Sequence, residues 1–224
     1  MLFLAVTLGF FVENQREHYI EHGREKQYIR SFLGDLKSDI GQLDSLVDQR
    51  MKRKKNIDSL TGILSTPDPD VYAKQIYYFS RPLTISYQFF RNERTIQQLK
   101  NGGNLRLIRK QDVSDAIMLY DNHVHLTDLV ANREQEYILE YVKRIEELFD
   151  ARVFNKMRTE AFGFKMPEDK EVHLLKKDKQ SIQFFLNKIH FLSSVNDYHL
   201  MVYRQLLNVA MQTKETIEME YSIN

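Results

Sequence analysis

No proline occurs before Pro67, so nothing in residues 1–66 forbids a single helix. Proline cannot donate a backbone hydrogen bond and its ring clashes with the preceding turn. Within this stretch Ile29, Leu33, Leu36, Ile40, Leu43, Val47, Ile57 and Leu64 fall at spacings built from three and four, with a polar gap at Arg50 and Lys54. Apolar residues spaced this way line one side of a helix and read as a heptad seam. The expected first element is therefore one long helix ending near Leu64. Thr66-Pro67-Asp68-Pro69 stops it, because the residue before a proline is pushed out of the helical region.

The rest of the chain is punctuated only sparsely, with Gly 8 and Pro 4 in 224 residues. Sheets need many turns, and turns draw on Gly and Pro, so few and long helices are expected. Asp70 is a plausible N-cap for a short helix, VYAKQIYYFS, which Arg81-Pro82 breaks. A second short helix is expected from Tyr87 to Lys100. Asn101-Gly102-Gly103-Asn104 ends it, with a glycine taking a positive φ after the last turn. A long helix starts at Asp112 or Ser114 and fades near Met157. Thr159 to Lys177 reads as a loop. Asp178 opens the last helix, with Ile182, Phe185, Ile189, Leu192, Tyr203 and Leu206 on its buried side. The expectation is an all-α fold, an elongated antiparallel bundle of three long and two short helices.

Met1 to Val12, MLFLAVTLGFFV, carries no charge. About 20 apolar residues span a bilayer, so this run is short for a crossing. It reads as the outer half of a spanning helix, as a segment dipping into one leaflet, or as an ordinary core segment. The expected division is residues 1–12 as a membrane anchor or its C-terminal half, with membrane lipid as partner, and residues 13–224 as one helical domain.

Composition removes several functions. Lys+Arg 32 against Asp+Glu 31 leaves a net charge of +1, which argues against nucleic acid as a partner. Cys 0 excludes disulfides, thiolate metal sites and cysteine nucleophiles. His18-Tyr19-Ile20-Glu21-His22 matches H-x-x-E-H, in which two imidazoles one helical turn apart hold zinc. Here nothing marks a third ligand, and a solvated helix face explains the same residues. Arg50-Met51-Lys52-Arg53-Lys54-Lys55 could meet a polyanion, but a solvated face near a helix C-terminus is the simpler reading. His123 and His125 point to different helix faces, and His190 and His199 do not converge; each is expected as an ordinary core or surface histidine. Lys100-Asn101-Gly102-Gly103-Asn104 lacks the Gly-Lys-Ser/Thr ending of a phosphate loop. No catalytic, cofactor-binding or metal-binding residue is expected, and no cofactor.

FLAVTLGFFVENQREH followed by EKQYIRSFLGDLKSDIGQLD, and the central ERTIQQLKNGGNLRLI, resemble a family of membrane-anchored helical proteins of Bacteroidetes-type bacteria to which no activity is assigned. The resemblance covers the first helix and the central turn, about a third of the chain. It implies one N-terminal span in the inner membrane, begun by further apolar residues before this stretch, and a helical domain beyond it in the periplasm. The leading expectation is a membrane-tethered interaction or scaffold protein that forms a homo-oligomer along the heptad seam or binds another protein. The alternative is an extracytoplasmic ligand-sensing bundle with a pocket lined by Tyr77, Tyr78, Phe89 and Phe90. An enzyme built on His18, Glu21 and His22 is the third.

Overall fold

The computed structural model describes residues 2–160 and 163–223. Met1, at the start of the apolar run, and Ala161 and Phe162, in the expected loop, lie outside the described residues. The fold is all-α. Its elements are α1 (Leu2–Leu64), α2 (Ala73–Ser80), α3 (Arg94–Asn101), α4 (Gln111–Leu148), α5 (Ala151–Lys156) and α6 (Lys179–Tyr221), with short 3-10 turns at Pro69–Tyr72, Arg81–Thr84 and Asn104–Leu107. The three long helices are those expected. Among the short ones α5 is an addition: the chain does not fade at Met157 but leaves α4 at Leu148 and restarts. Asp150 takes an extended conformation, and its carboxylate accepts the Arg152 N–H at 2.8 Å, the geometry of an N-cap.

Burial along α1 keeps strict time. Glu25, Ile29, Phe32, Leu36, Asp39, Leu43, Leu46, Arg50, Arg53, Ile57, Leu60 and Leu64 are all buried, and successive members are alternately four and three residues apart. That period of 3.5 keeps one edge of the helix inward throughout. The "polar gap" at Arg50 is therefore no gap: the arginine occupies a core seat. Arg53, one seat later, does the same.

The expected helix from Tyr87 is corrected. Residues 85–93 are extended, and α3 begins only at Arg94. The reason is that side chains take the backbone groups a helix would have used. Arg53 binds the Ile85 carbonyl at 2.7 Å and Arg50 the Tyr87 carbonyl at 2.6 Å. The Gln42 amide binds both the N–H and the carbonyl of Phe90, and the Asp39 carboxylate accepts the Asn92 N–H at 3.0 Å. Buried backbone groups need partners, and here long-range side chains supply them.

Asp70 is corrected too. It lies inside the 3-10 turn preceding α2 and caps nothing. Its carboxylate instead receives the Leu174 N–H at 2.9 Å, His173 at 2.9 Å and Lys177 at 3.1 Å. Asp178, in contrast, caps α6 as expected, accepting the Ser181 N–H at 2.9 Å. Gly103 takes the expected positive φ, +61°, after α3.

The chain packs as two compact units. The first comprises residues 1–43, 90–124 and 206–224; the second comprises 44–89 and 125–205. In the first, Ile29, Phe32, Leu36, Ile96, Leu99 and Ile117 are among the buried apolar residues. In the second, one continuous core gathers Ile57, Leu60, Tyr77, Tyr141, Phe185 and Leu192 with their neighbours. Among the described residues, no helix is long and apolar enough to cross a membrane.

Candidate functional site

Polar groups placed on core seats of the second unit form its most distinctive feature. Glu134 of α4 and Asn196 and His199 of α6 are buried to the same degree as Arg50, each without measurable exposure. On α4, Glu134 sits four residues before Ile138 in the buried series. On α6, Asn196 and His199 interrupt the series Leu192, Tyr203, Leu206. Three helices thus each bring a polar side chain to the core.

Arg50 grips Glu134 with both terminal nitrogens, Nη2 to Oε2 at 2.9 Å. Ser86 donates to the same oxygen at 2.9 Å, and Arg53 Nη2 stands 3.8 Å from the other. A two-pronged guanidinium–carboxylate pair is the strong form of this interaction. Burial works to raise the Glu134 pKa, but His199 and Arg50, then Arg53, outweigh it and hold the carboxyl far below its usual range. Arg53 also binds the Leu83 carbonyl at 2.8 Å, besides that of Ile85. Asn196 donates to the Arg50 carbonyl at 3.2 Å. Tyr203 donates to the Tyr87 carbonyl at 3.1 Å, with the Arg50 guanidinium over its ring.

His199 stacks parallel on the Tyr203 ring, centroids 5.4 Å apart. Its Nδ1 is 3.5 Å from Glu134 Oε2, and neither ring nitrogen completes a hydrogen bond. Burial, aided by the positive charge of Arg50 and Arg53 and resisted by Glu134, pushes its pKa below the ordinary 6.5. Arg50 Nε, Arg53 Nε and Asn196 Oδ1 are also buried without a partner. The cluster holds two guanidiniums against one carboxylate. Among the described residues, Glu134 is the only carboxylate within ion-pair distance of either.

This overturns the solvated reading of the basic run in part. Arg50 and Arg53 are buried, whereas Lys52 and Lys55 face outward and Lys54 pairs with Asp197 at 2.7 Å. His199 is likewise no ordinary satisfied histidine. His190 and His125 are exposed, and His123 bonds the Leu119 carbonyl.

A groove borders the cluster within the second unit. Gln49, Lys52, Arg53, Asn56, Pro82 and Tyr87 line a recess of about 80 Å³. Asn56, Pro82 and Tyr87 continue into a second recess of about 250 Å³, walled by Tyr78, Ile85 and Phe164. A larger hollow of about 560 Å³ beside Leu64 and Leu186 carries two lysines, one of which, Lys177, is already held by Asp70.

The aromatic pocket expected from Tyr77, Tyr78, Phe89 and Phe90 does not assemble as imagined. Tyr77 is core, edge-on to Phe149, and its hydroxyl accepts the Asp150 N–H at 2.7 Å. Phe89 is buried and Phe90 is 72% exposed; only Tyr78 borders the groove. His18, Glu21 and His22 lie along the solvent side of α1. Arg109 meets Glu21 at 3.4 Å, and His22 meets Glu25 at 3.1 Å. Among the described residues, no group of three His, Asp or Glu is placed to hold a metal.

The chain matches no protein-family model, no curated protein and no solved structure.

Proposed function

We propose that the protein is a non-enzymatic helical interaction protein, tethered to a membrane by the start of α1, with residues 13–224 standing outside the bilayer as an antiparallel bundle. One observation carries the tether. Phe3, Val6, Leu8, Phe10, Phe11 and Val12 are all exposed, at 50–82%. At 100° per residue they spread around the helix rather than along one stripe. A stripe suits a partner helix; an all-round apolar surface suits lipid. Thr7, the polar side chain among them, turns its hydroxyl back to the Phe3 carbonyl at 2.9 Å, as hydroxyls in apolar surroundings do. Charge begins abruptly with Glu13, Arg16 and Glu17.

Residues 2–12 rise about 17 Å, roughly the depth of one leaflet of an approximately 30 Å hydrocarbon core. They enter the bilayer to that depth, or complete a span with apolar residues before them. The resemblance supports the second arrangement, in a bacterial inner membrane with the bundle in the periplasm. The heptad seats of α1 from Ile29 to Leu64 are covered by the protein's own chain. A homo-oligomer would therefore form through the tether or through another face.

Vesicle flotation tests the tether. The full chain should float with phosphatidylethanolamine/phosphatidylglycerol vesicles, and a chain lacking residues 1–12 should stay at the bottom of the gradient. Sedimentation of the full chain apart from the vesicles would overturn the reading. Light scattering of both forms in detergent then reports whether the tether also assembles copies.

A further inference from the structure

We infer that the groove beside Arg53 is a binding site for a small organic carboxylate with an apolar body. This goes beyond the tethered interaction role and does not depend on it. The argument starts from charge. Arg50 and Arg53 share one carboxylate, Glu134, so the buried cluster carries an uncompensated positive charge. Isolated buried charge is costly, and a protein core that keeps one gains from an anion drawn to it. Both Arg53 Nη atoms serve backbone carbonyls, those of Leu83 and Ile85, so its charge is not neutralised by a carboxylate in direct contact.

Arg53 is also the member of the cluster that lines the groove. Beside it stand Lys52, a second cation, and the amides of Gln49 and Asn56, which supply further N–H donors. No acidic residue lines either recess, so the electrostatics there are of one sign. The recess at Arg53, about 80 Å³, holds an oxyanion head rather than a nucleotide. Its continuation, about 250 Å³, adds the side chains of Tyr78, Ile85 and Phe164, with the Asn56 amide at the junction, and so supplies aromatic and apolar contacts for a body joined to the head. Positive charge recurs at that end as well: the Arg81 guanidinium lies over the Phe164 ring at 5.0 Å. A head that accepts hydrogen bonds, joined to a flat apolar body, matches both halves. Sites of this kind are apolar cavities with a few placed polar groups that fix orientation.

The probe is 3-phenylpropionate, titrated calorimetrically into the full chain in detergent, beside 3-phenylpropionamide and inorganic phosphate. Saturable binding of the acid at one site is expected. The amide, which keeps the body but loses the charge, should bind at least about tenfold more weakly, a difference of about 1.4 kcal/mol. Phosphate should also bind more weakly, because it leaves the aromatic half empty. Lys52 is exposed, so Lys52→Ala is a variant that keeps the fold; it should weaken the acid about tenfold, with Lys52→Arg restoring it. Phe164→Ala, checked for an unchanged melting curve, should weaken the acid but not phosphate. No binding of the acid would overturn the proposal. So would equal binding of acid and amide, equal binding of acid and phosphate, or indifference to Lys52→Ala. Vesicle flotation is unaffected by any of these outcomes, so the tether and the groove stand or fall separately.

Discussion

In the first unit Asp39 sits among three donors: the Tyr120 hydroxyl at 2.7 Å, the Asn92 amide at 2.8 Å and the Asn92 N–H at 3.0 Å. Asp35 likewise receives Thr95 through its N–H at 3.2 Å and through its hydroxyl. Asp121 is held by Arg91 and by Lys100, the latter at 2.7 Å. Glu25 takes the Arg109 N–H at 2.8 Å and the Tyr221 hydroxyl. In the second unit the buried charges are mostly cationic. Every buried side-chain polar atom found without a partner among the described residues belongs to it: Arg50, Arg53, Ser80, Arg81, Asn196 and His199. Both units bury polar groups on heptad seats. The first closes each group with donors brought from distant parts of the chain, and such a network specifies a structure. The second leaves hydrogen-bonding capacity unspent, which costs stability.

The largest test of this contrast is Glu134→Gln. It leaves two guanidiniums buried without a carboxylate and should cost about 3–5 kcal/mol in chemical denaturation. Asp39→Asn is the matched change in the first unit. It keeps an acceptor for Tyr120 and should cost about 1–2 kcal/mol. Equal losses would erase the distinction between the units. Native-state hydrogen exchange sharpens the same pair: Glu134→Gln should speed exchange first in residues 44–64 and 125–148, Asp39→Asn in residues 25–43.

The two units also differ in pH response. The unfolded chain protonates a histidine near 6.5, while folded His199 resists because its pKa is lowered. Its contribution is therefore complete above 6.5 and is lost as the pH falls below that value. Glu134 acts in the same direction further down, from about 4.5, again because its folded pKa is lowered. Asp39 has the opposite sign. Burial raises its pKa despite Tyr120 and Asn92, so the folded state takes up the proton first and acidification relieves it. As the pH falls below about 6.5 the protein should lose stability through His199, at a slope of at most about 1.4 kcal/mol per pH unit. His199→Gln should flatten that slope in urea titrations run at a series of pH values, and Asp39→Asn should leave it unchanged. The smallest effect expected is Gly103→Ala, about 1 kcal/mol, because φ of +61° strains any residue with a Cβ.

Much of the fold was legible because helix signals are local. The proline-free start, the Gly102-Gly103 stop and the Asp178 cap each act within a few residues, and each placed an element end. The extended run 85–93 was not legible. FFRNER has nothing against a helix; what prevents one is Gln42, Arg50, Arg53 and Asp39 taking its backbone groups from far along the chain. The groove was not legible for the same reason, since the residues lining its two recesses are brought together only by folding. The ion cluster could have been seen. Arg50, Glu134 and His199 each stand at the place in an apolar series where the next hydrophobe is due. One such residue reads as a solvated interruption; three, one on each long helix, were the available sign that the interruptions meet.

The strict alternation of buried seats on α1 makes chain length within that helix a matter of phase. Deleting one residue between Leu46 and Arg50 would turn every later seat by about 100°. Arg50 and Arg53 would swing toward solvent, and Ile57, Leu60 and Leu64 would follow. Insertions and deletions inside this helix are therefore tolerated only in multiples of seven, a constraint of phase that the non-helical connection after α5 does not share. A lineage carrying this fold should keep the spacing between Arg50 and Ile57, while the segment between Met157 and Asp178 has no helical phase to keep and is held instead at single points such as Leu174.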